Sequence, residues 1–219
     1  MESRLPAEVV SSILLLSAKS GAVTFEVTNA AVPNTTGGER FNKDIGLDYA
    51  KALSDASILI WNTFNQRSPA DRKPVDTVTL VVEDEDNGMV AFTSGSTIHL
   101  SAQYVGGYSG DVKTEVTGLL FHETTHIWQW DGQGQANPAL VEGIADFIRL
   151  KACRVCQQFL DYCNSLTPGF IALLNAKMKD GYYDDFFAQI TGRSSNSSGR
   201  ASSKHVRSNG GPFIYFLFH

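Results

Sequence analysis

Alternation of apolar and polar residues is the dominant pattern in the first half of the chain. In residues 22–28, Val23, Phe25 and Val27 alternate with polar side chains, which is the period of a half-buried β-strand. Enrichment in β-branched and apolar residues predicts further strands at residues 75–83, 89–93 and 97–102. We expect residues 75–83 to form the central strand of a small sheet.

A second pattern, with apolar residues three and four positions apart, is typical of helices. It predicts that residues 41–66 are mostly helical and that residues 112–130 and 139–152 form helices. On the second of these helices, the polar stripe beside the apolar one consists of Glu115, His122, His126 and Gln129. The order of the elements predicts an α/β (α+β) fold in which a small mixed sheet is followed by a helix carrying two histidines and by a helical C-terminal part.

Length and composition indicate one globular domain. With 219 residues the chain can bury a proper core, and we expect a single domain at residues 21–192. Residues 1–20 are predicted to be a poorly ordered or degenerate leader, and the polar, low-complexity residues 193–219 a disordered tail. A net charge of -5 argues against a nucleic-acid partner, and no apolar run is long enough for a membrane span. We expect a monomer.

The cysteines and the N-terminus indicate little chemistry of their own. Three cysteines, Cys153, Cys156 and Cys163, leave at least one thiol free or paired with another chain, and a single CxxC without a neighbouring histidine is weak evidence for a metal or redox site. Residues 9–18 are mildly apolar, but the acidic and basic residues before them do not resemble a signal peptide. We therefore find no convincing secretion signal in the chain itself.

The chemistry is concentrated in residues 121–130, FHETTHIWQW. His122 and His126 stand four apart, so on a helix both imidazoles lie on one face, where they can bind one Zn²⁺. Glu123 follows the first histidine and is placed to act as the general base of a hydrolase. Because Glu123 falls within the apolar stripe of the helix, its carboxylate must be paired or protonated if it is buried. The alternative is a pair of core histidines beside an acid without catalytic function.

Zinc needs a third protein ligand, and the next predicted helix offers two acids one turn apart. Glu142, sixteen residues after His126, is our predicted carboxylate ligand. Asp146 is expected to orient a ligating histidine from behind, and it is also the competing candidate for the ligand itself. A solvated stripe of acids with no ligand role is the alternative interpretation.

Two further features bear on catalysis. The strand at residues 97–102 is a candidate edge strand along which an extended peptide substrate could add by main-chain hydrogen bonds, and an ordinary sheet edge is the equal alternative. His99 on that strand is expected to be a packing or surface residue rather than a ligand. An oxyanion donor is required near the metal, but no spacing chooses among Tyr104, Tyr108 and Tyr162.

Long segments of the chain resemble the plant basic secretory protein family, a group of secreted metallopeptidases of the zincin type. The segments are FNKDIGLDYAKALSDASILIWNTFNQ, DRKPVDTVTLVV, TIHLSAQYV, YSGDVKTEVTGLLFHETTHIWQW, LVEGIADFIRLKA and FLDYCNSLTPGFIALLNAKMKDGYYDDFF. The resemblance implies a zincin-like fold with Zn²⁺ between two helices. It assigns His122 and His126 as ligands, Glu123 as the base, and the Glu142 and Asp146 pair as the third-ligand element.

The same resemblance implies zinc-dependent hydrolysis of a peptide or protein substrate by an extracellular (apoplast) protein, in plant defence or stress responses. Relatives have a longer segment where only residues 153–158, CRVCQQ, follow the RLKA helix, so one wall of the cleft is expected to be missing. The alternative function is therefore a catalytically impaired defence or binding protein of the same fold. A third interpretation, loss of a stable fold, predicts that Phe186 and Phe187 are uncovered.

Overall fold

The computed structural model describes residues 16–20, 23–31, 35–46, 49–84, 88–153 and 159–192. Within them the strands are β1 (Leu16–Ser20), β2 (Val23–Asn29), β3 (Thr77–Glu83), β4 (Ala91–Ser94) and β5 (Thr97–Ser101). The helices are α1 (Thr36–Arg40), α2 (Tyr49–Thr63), α3 (Ala102–Gly107), α4 (Val112–Trp128), α5 (Pro138–Cys153), α6 (Phe159–Leu166), α7 (Phe170–Lys177) and α8 (Phe186–Thr191). Most of the predicted leader, the predicted tail and Cys156 lie outside the described residues.

The strands form one mixed sheet in the order β1-β2-β3-β5-β4, so β3 is central, as predicted. β3 pairs in parallel with both β2 and β5, whereas β1 and β4 pair antiparallel at the two edges. The prediction that residues 97–102 form the edge strand is wrong. A tight turn at Gly95 folds β4 back onto β5, so β5 is hydrogen-bonded on both sides and β4 is the edge. β1 lies within the segment for which poor order was predicted.

Alternation along the strands buries one row of side chains. Phe25, Val27, Leu80 and Ile98 are fully inaccessible to solvent, while the residues between them are half-exposed. Burial of such a side chain stabilises the fold by about 1.5–3 kcal/mol. The buried cluster extends from β2 through α2 and α4 to Phe186 in α8. The mixed α/β class, with a small sheet and several helices, is thereby confirmed.

The segment at residues 41–66, predicted to be mostly helical, contains an interruption. A π-helical turn at Phe41–Ile45 ends at Gly46, whose φ of 82° lies in the region that favours glycine, and α2 begins only at Tyr49. The apolar spacing was nevertheless informative, because Phe41 and Ile45 join the same buried cluster as α2. The segment is mostly helical, as predicted, and the spacing did not show the interruption at Gly46.

Helices α4 and α5, which carry the candidate site, each begin at a capping side chain. Asp111 accepts a hydrogen bond of 3.2 Å from the Thr114 backbone N–H, and Asn137 accepts one of 2.9 Å from the Ala139 N–H. Pro138 then opens α5, at the position where proline is well tolerated. The two helices pack side by side, so their polar stripes meet.

Aromatic residues near the end of the described chain are covered. Phe186 is only 6% exposed, and the ring of Phe187 lies 5.3 Å from that of Phe170. The uncovered aromatic face that the third interpretation required is therefore not found in α8. No helix within the described residues combines the length and the apolar character that crossing a membrane would need.

Candidate metal and active site

One atom each from His122, His126 and Glu142 converges where α4 and α5 meet, and all three lie within 4.8 Å of one another. The two Nε2 atoms are 3.1 Å apart. Glu142 Oε2 lies 3.2 Å from His122 Nε2, and Glu142 Oε1 lies 3.6 Å from His126 Nε2. The 3.6-residue period of α4 explains the proximity of the histidines, and the packing of α5 brings the carboxylate to them.

These separations match those of a small tetrahedral metal site. Ligand atoms at 2.0–2.1 Å from Zn²⁺ in tetrahedral geometry are about 3.3 Å apart, close to the three distances found here. Two imidazoles and one carboxylate are also a donor set that zinc hydrolases use, with one position left for water or substrate. The residues present therefore fit Zn²⁺. The side chain of Glu142 is 59% exposed, so the cluster is open to solvent on the α5 side.

Asp146 lies on the other side of the His122 ring. Its Oδ1 accepts a hydrogen bond of 3.0 Å from His122 Nδ1, one helical turn after Glu142. A carboxylate in this position orients an imidazole and makes its free nitrogen more basic. Asp146 thus faces Nδ1 of His122 and Glu142 faces its Nε2, while the roles of orienting acid and ligand stay predictions.

The electrostatics of the cluster favour positive charge. Burial lowers the pKa of His122, but the hydrogen bonds to Asp146 and Glu142 outweigh it and raise the pKa to about 9. The hydrogen bond from His122 in turn holds the pKa of Glu142 well below its ordinary value. The two acids that raise the pKa of His122 place negative charge beside the imidazoles.

Glu123 points away from solvent and is 7% exposed. The hydroxyl of Thr93, on the edge strand β4, lies 2.8 Å from Glu123 Oε2 and donates to it. This contact supplies the pairing that a buried carboxylate needs. Sequence reasoning did not identify Thr93, because nothing in the sequence indicates that a residue thirty positions earlier reaches this acid.

The polar stripe of α4 continues at Glu115, two turns before His122. Glu115 accepts hydrogen bonds from Arg149 at 3.1 and 3.2 Å and from the Tyr104 hydroxyl at 3.0 Å. Burial, and then the neighbouring Glu115, raise the pKa of Tyr104 to about 12. Because the Tyr104 hydroxyl already donates to Glu115, Tyr104 is a weaker candidate for the oxyanion donor. The ring of Tyr108 packs 5.7 Å from that of Tyr104, and the side chain of Tyr162 lies outside the described residues.

His99 is not part of the cluster. It pairs with Glu83 and stacks on Phe92 at 4.5 Å, so it packs within the sheet. The interpretation of His99 as a packing residue is confirmed. Within the described residues, His122, His126 and Glu142 are the sole group of histidine, cysteine and acidic side chains close enough together to bind a metal.

Comparison with protein families gives one assignment. The BSP family model, described as "Peptidase of plants and bacteria", matches residues 20–157 and 153–198. The two matched ranges overlap at residues 153–157. No curated protein matched the chain. Since the matched ranges cover most of its length, the chain belongs to the basic secretory protein family of plant and bacterial peptidases.

Proposed function

We propose that the protein is a zinc-dependent peptidase with a zincin-like site, in which His122, His126 and Glu142 bind the metal. The observation that carries this proposal is the convergence of two imidazole nitrogens and a carboxylate oxygen at separations of 3.1, 3.2 and 3.6 Å. Zn²⁺ bound there would polarise a scissile carbonyl and make water easier to deprotonate near neutral pH. The peptidase description of the family supports the same reaction class.

The residues of the chain then have distinct tasks. Glu123 takes a proton from the attacking water as it adds to the peptide carbonyl, and later delivers that proton to the leaving amine. Asp146 keeps His122 oriented, with the ring proton on Nδ1. We further propose that an extended peptide substrate lies along the edge strand β4, whose outer main-chain groups are not used by the sheet.

The decisive experiment compares the wild-type protein with Glu123→Gln. The amide keeps the shape of the side chain and can still accept a hydrogen bond from Thr93, but it cannot take a proton. We expect about one Zn²⁺ per chain in both proteins, and loss of peptide cleavage by roughly 10²–10⁴-fold or more in the variant. Full cleavage activity in Glu123→Gln, or a wild-type protein without zinc affinity, would contradict the proposal.

A second candidate function is supported by the family model matching in two ranges, which overlap at residues 153–157, and not in one. If this segment is shorter than in relatives, as the resemblance implies, and part of the substrate cleft is lost, the protein is a zinc-containing defence or binding protein without turnover. Cleavage of a mixed peptide library by the wild-type protein, sensitive to a chelator, would exclude this candidate. Secretion and a role in defence or stress responses are proposals that rest on the family resemblance.

A further inference from the structure

Gln129 is a buried polar residue next to a proposed zinc ligand. It directly follows α4, where its N–H donates to the Thr125 carbonyl at 2.8 Å, and it is only 1% exposed. Its side chain folds back along the helix, so that Nε2 lies 2.7 Å from His126 Nδ1. Burial of a carboxamide without hydrogen bonds costs about 1–3 kcal/mol. The partners of the two polar atoms of the Gln129 side chain therefore matter for stability.

The position of the proton on His126 follows from the proposed ligation. His126 Nε2 lies 3.1 Å from His122 Nε2 and 3.6 Å from Glu142 Oε1, so Nε2 is the nitrogen that faces the other two proposed ligands. A neutral imidazole that ligates through Nε2 carries its proton on Nδ1. His126 Nδ1 is the nitrogen that faces Gln129.

The amide oxygen of Gln129 can supply the acceptor that His126 Nδ1–H needs. Gln129 Oε1 is buried and has no hydrogen-bond partner among the described residues. The oxygen and nitrogen of a carboxamide exchange places when the amide turns by half a revolution, and the two orientations have nearly the same shape. After that turn, Oε1 accepts from His126 Nδ1–H, so that two donors no longer face each other at Nδ1, and Nε2 takes the buried position that has no partner among the described residues.

We infer that Gln129 is a positioning residue that accepts a hydrogen bond from His126 Nδ1–H and so keeps the lone pair of His126 Nε2 directed at the metal site. The inference rests on the proposed zinc site. A ligating imidazole needs this tautomer, with one nitrogen free and the other donating to an acceptor. Gln129 then orients the ring of His126 by accepting from Nδ1–H, as Asp146 does for His122. One imidazole is held by a carboxylate from α5 and the other by an amide at the end of its own helix.

The test compares zinc affinities of three proteins by competition with a chromophoric chelator. Gln129→Met keeps the length of the side chain but removes the acceptor, and we expect it to bind zinc about 10–100-fold more weakly than wild type. Gln129→Glu restores an acceptor and should bind at least as tightly as wild type. Gln66→Met is the control, because it makes the same substitution at another buried glutamine, which is 4% exposed. Gln135→Glu, on the surface, controls for the added charge.

The outcomes separate this inference from the proposed function. A wild-type protein that does not bind zinc contradicts both. Zinc binding by wild type that is unchanged in Gln129→Met, or weakened equally by Met and Glu, overturns the role of Gln129 alone. If Gln129→Met does not fold, the tautomer of His126 in the zinc-free wild type decides the matter. Long-range ¹H–¹⁵N spectra should show the proton on Nδ1, and a proton on Nε2 would overturn the inference.

Discussion

The hydroxyl of Thr93 lies 2.8 Å from Glu123 Oε2 and 3.0 Å from the carbonyl oxygen of the same residue. One side chain of the edge strand β4 therefore contacts both the carboxylate of Glu123, the proposed general base, and the backbone of the helix that carries it. Because the hydroxyl has a single hydrogen, this hydrogen is shared between the two acceptors. The contact fixes the acid relative to the strand along which we propose that the substrate lies.

We expect Thr93→Val to lower kcat by about tenfold and to leave zinc binding unchanged. Valine has nearly the same shape, so the substitution removes the hydrogen bond and leaves the buried carboxylate of Glu123 less well oriented. The lost hydrogen bond should also cost about 1 kcal/mol of folding free energy. Peptidase kinetics, zinc analysis and thermal unfolding measure the three effects. Ser94→Ala, at an exposed position of the same strand, should leave all of them near wild type.

The sequence predicted the part of the site that depends on a single helix. His122 and His126 lie on one face of α4 because the helical period places them there, and the cap at Asp111 fixes where the helix begins. The same period placed Gln129 on that stripe, but it did not show the role of Gln129. That role depends on which ring nitrogen faces the amide, which is a matter of rotamers and not of spacing.

Contacts between elements could not be predicted in the same way. Glu142 and Asp146 are one turn apart on one face of α5, so spacing alone allows either acid to approach the imidazoles. The packing of α5 against α4 decides that Glu142 faces both Nε2 atoms and Asp146 faces Nδ1 of His122. The sheet edge was assigned wrongly for a similar reason, since strand order depends on pairing across the sheet.

The difference between the two acids can be tested by removing each in turn. Asp146→Ala should weaken zinc binding by about 10–100-fold, because His122 keeps its place in the site but loses its orienting partner. Glu142→Ala removes a proposed ligand and should weaken binding more than Asp146→Ala does. Chelator competition ranks the two variants, and Asp184→Ala, at an exposed acid, is the control. The reverse order would make Asp146 the ligand.

Close packing of α1 against α3 gives a prediction about stability alone. A Cβ atom on Gly37 would lie 1.7 Å from the carbonyl oxygen of Ala102, a contact that backbone movement must relieve. We expect Gly37→Ala to destabilise the fold by about 2 kcal/mol or more. A Cβ on Gly107 meets nothing within 4 Å, so Gly107→Ala should change stability by less than about 1 kcal/mol. Denaturant unfolding of both variants makes the comparison, and equal stabilities would show that the contact is easily relieved.

The raised pKa of His122 predicts opposite pH dependences for folding and for zinc binding. Its value of about 9 in the folded, zinc-free protein exceeds the ordinary 6.5, because the hydrogen bonds to Asp146 and Glu142 outweigh the effect of burial. The charged imidazole therefore stabilises the fold fully below about pH 6.5. This stabilisation is lost as pH rises through about 9. Zinc binding requires the neutral ring, so it releases a proton throughout this range.

Between pH 6 and pH 8 the apparent zinc affinity should thus rise about tenfold per pH unit for the proton that His122 releases. Over the same range, unfolding of the zinc-free protein should become easier. Calorimetry in buffers of different ionisation enthalpy counts the protons released, and denaturant unfolding in the presence of a chelator measures the stability. His122→Asn should abolish zinc binding and flatten the fall in stability between pH 6.5 and 9. A fall that persists in His122→Asn would assign the titration to another group, and zinc affinity independent of pH would contradict the charged state of His122.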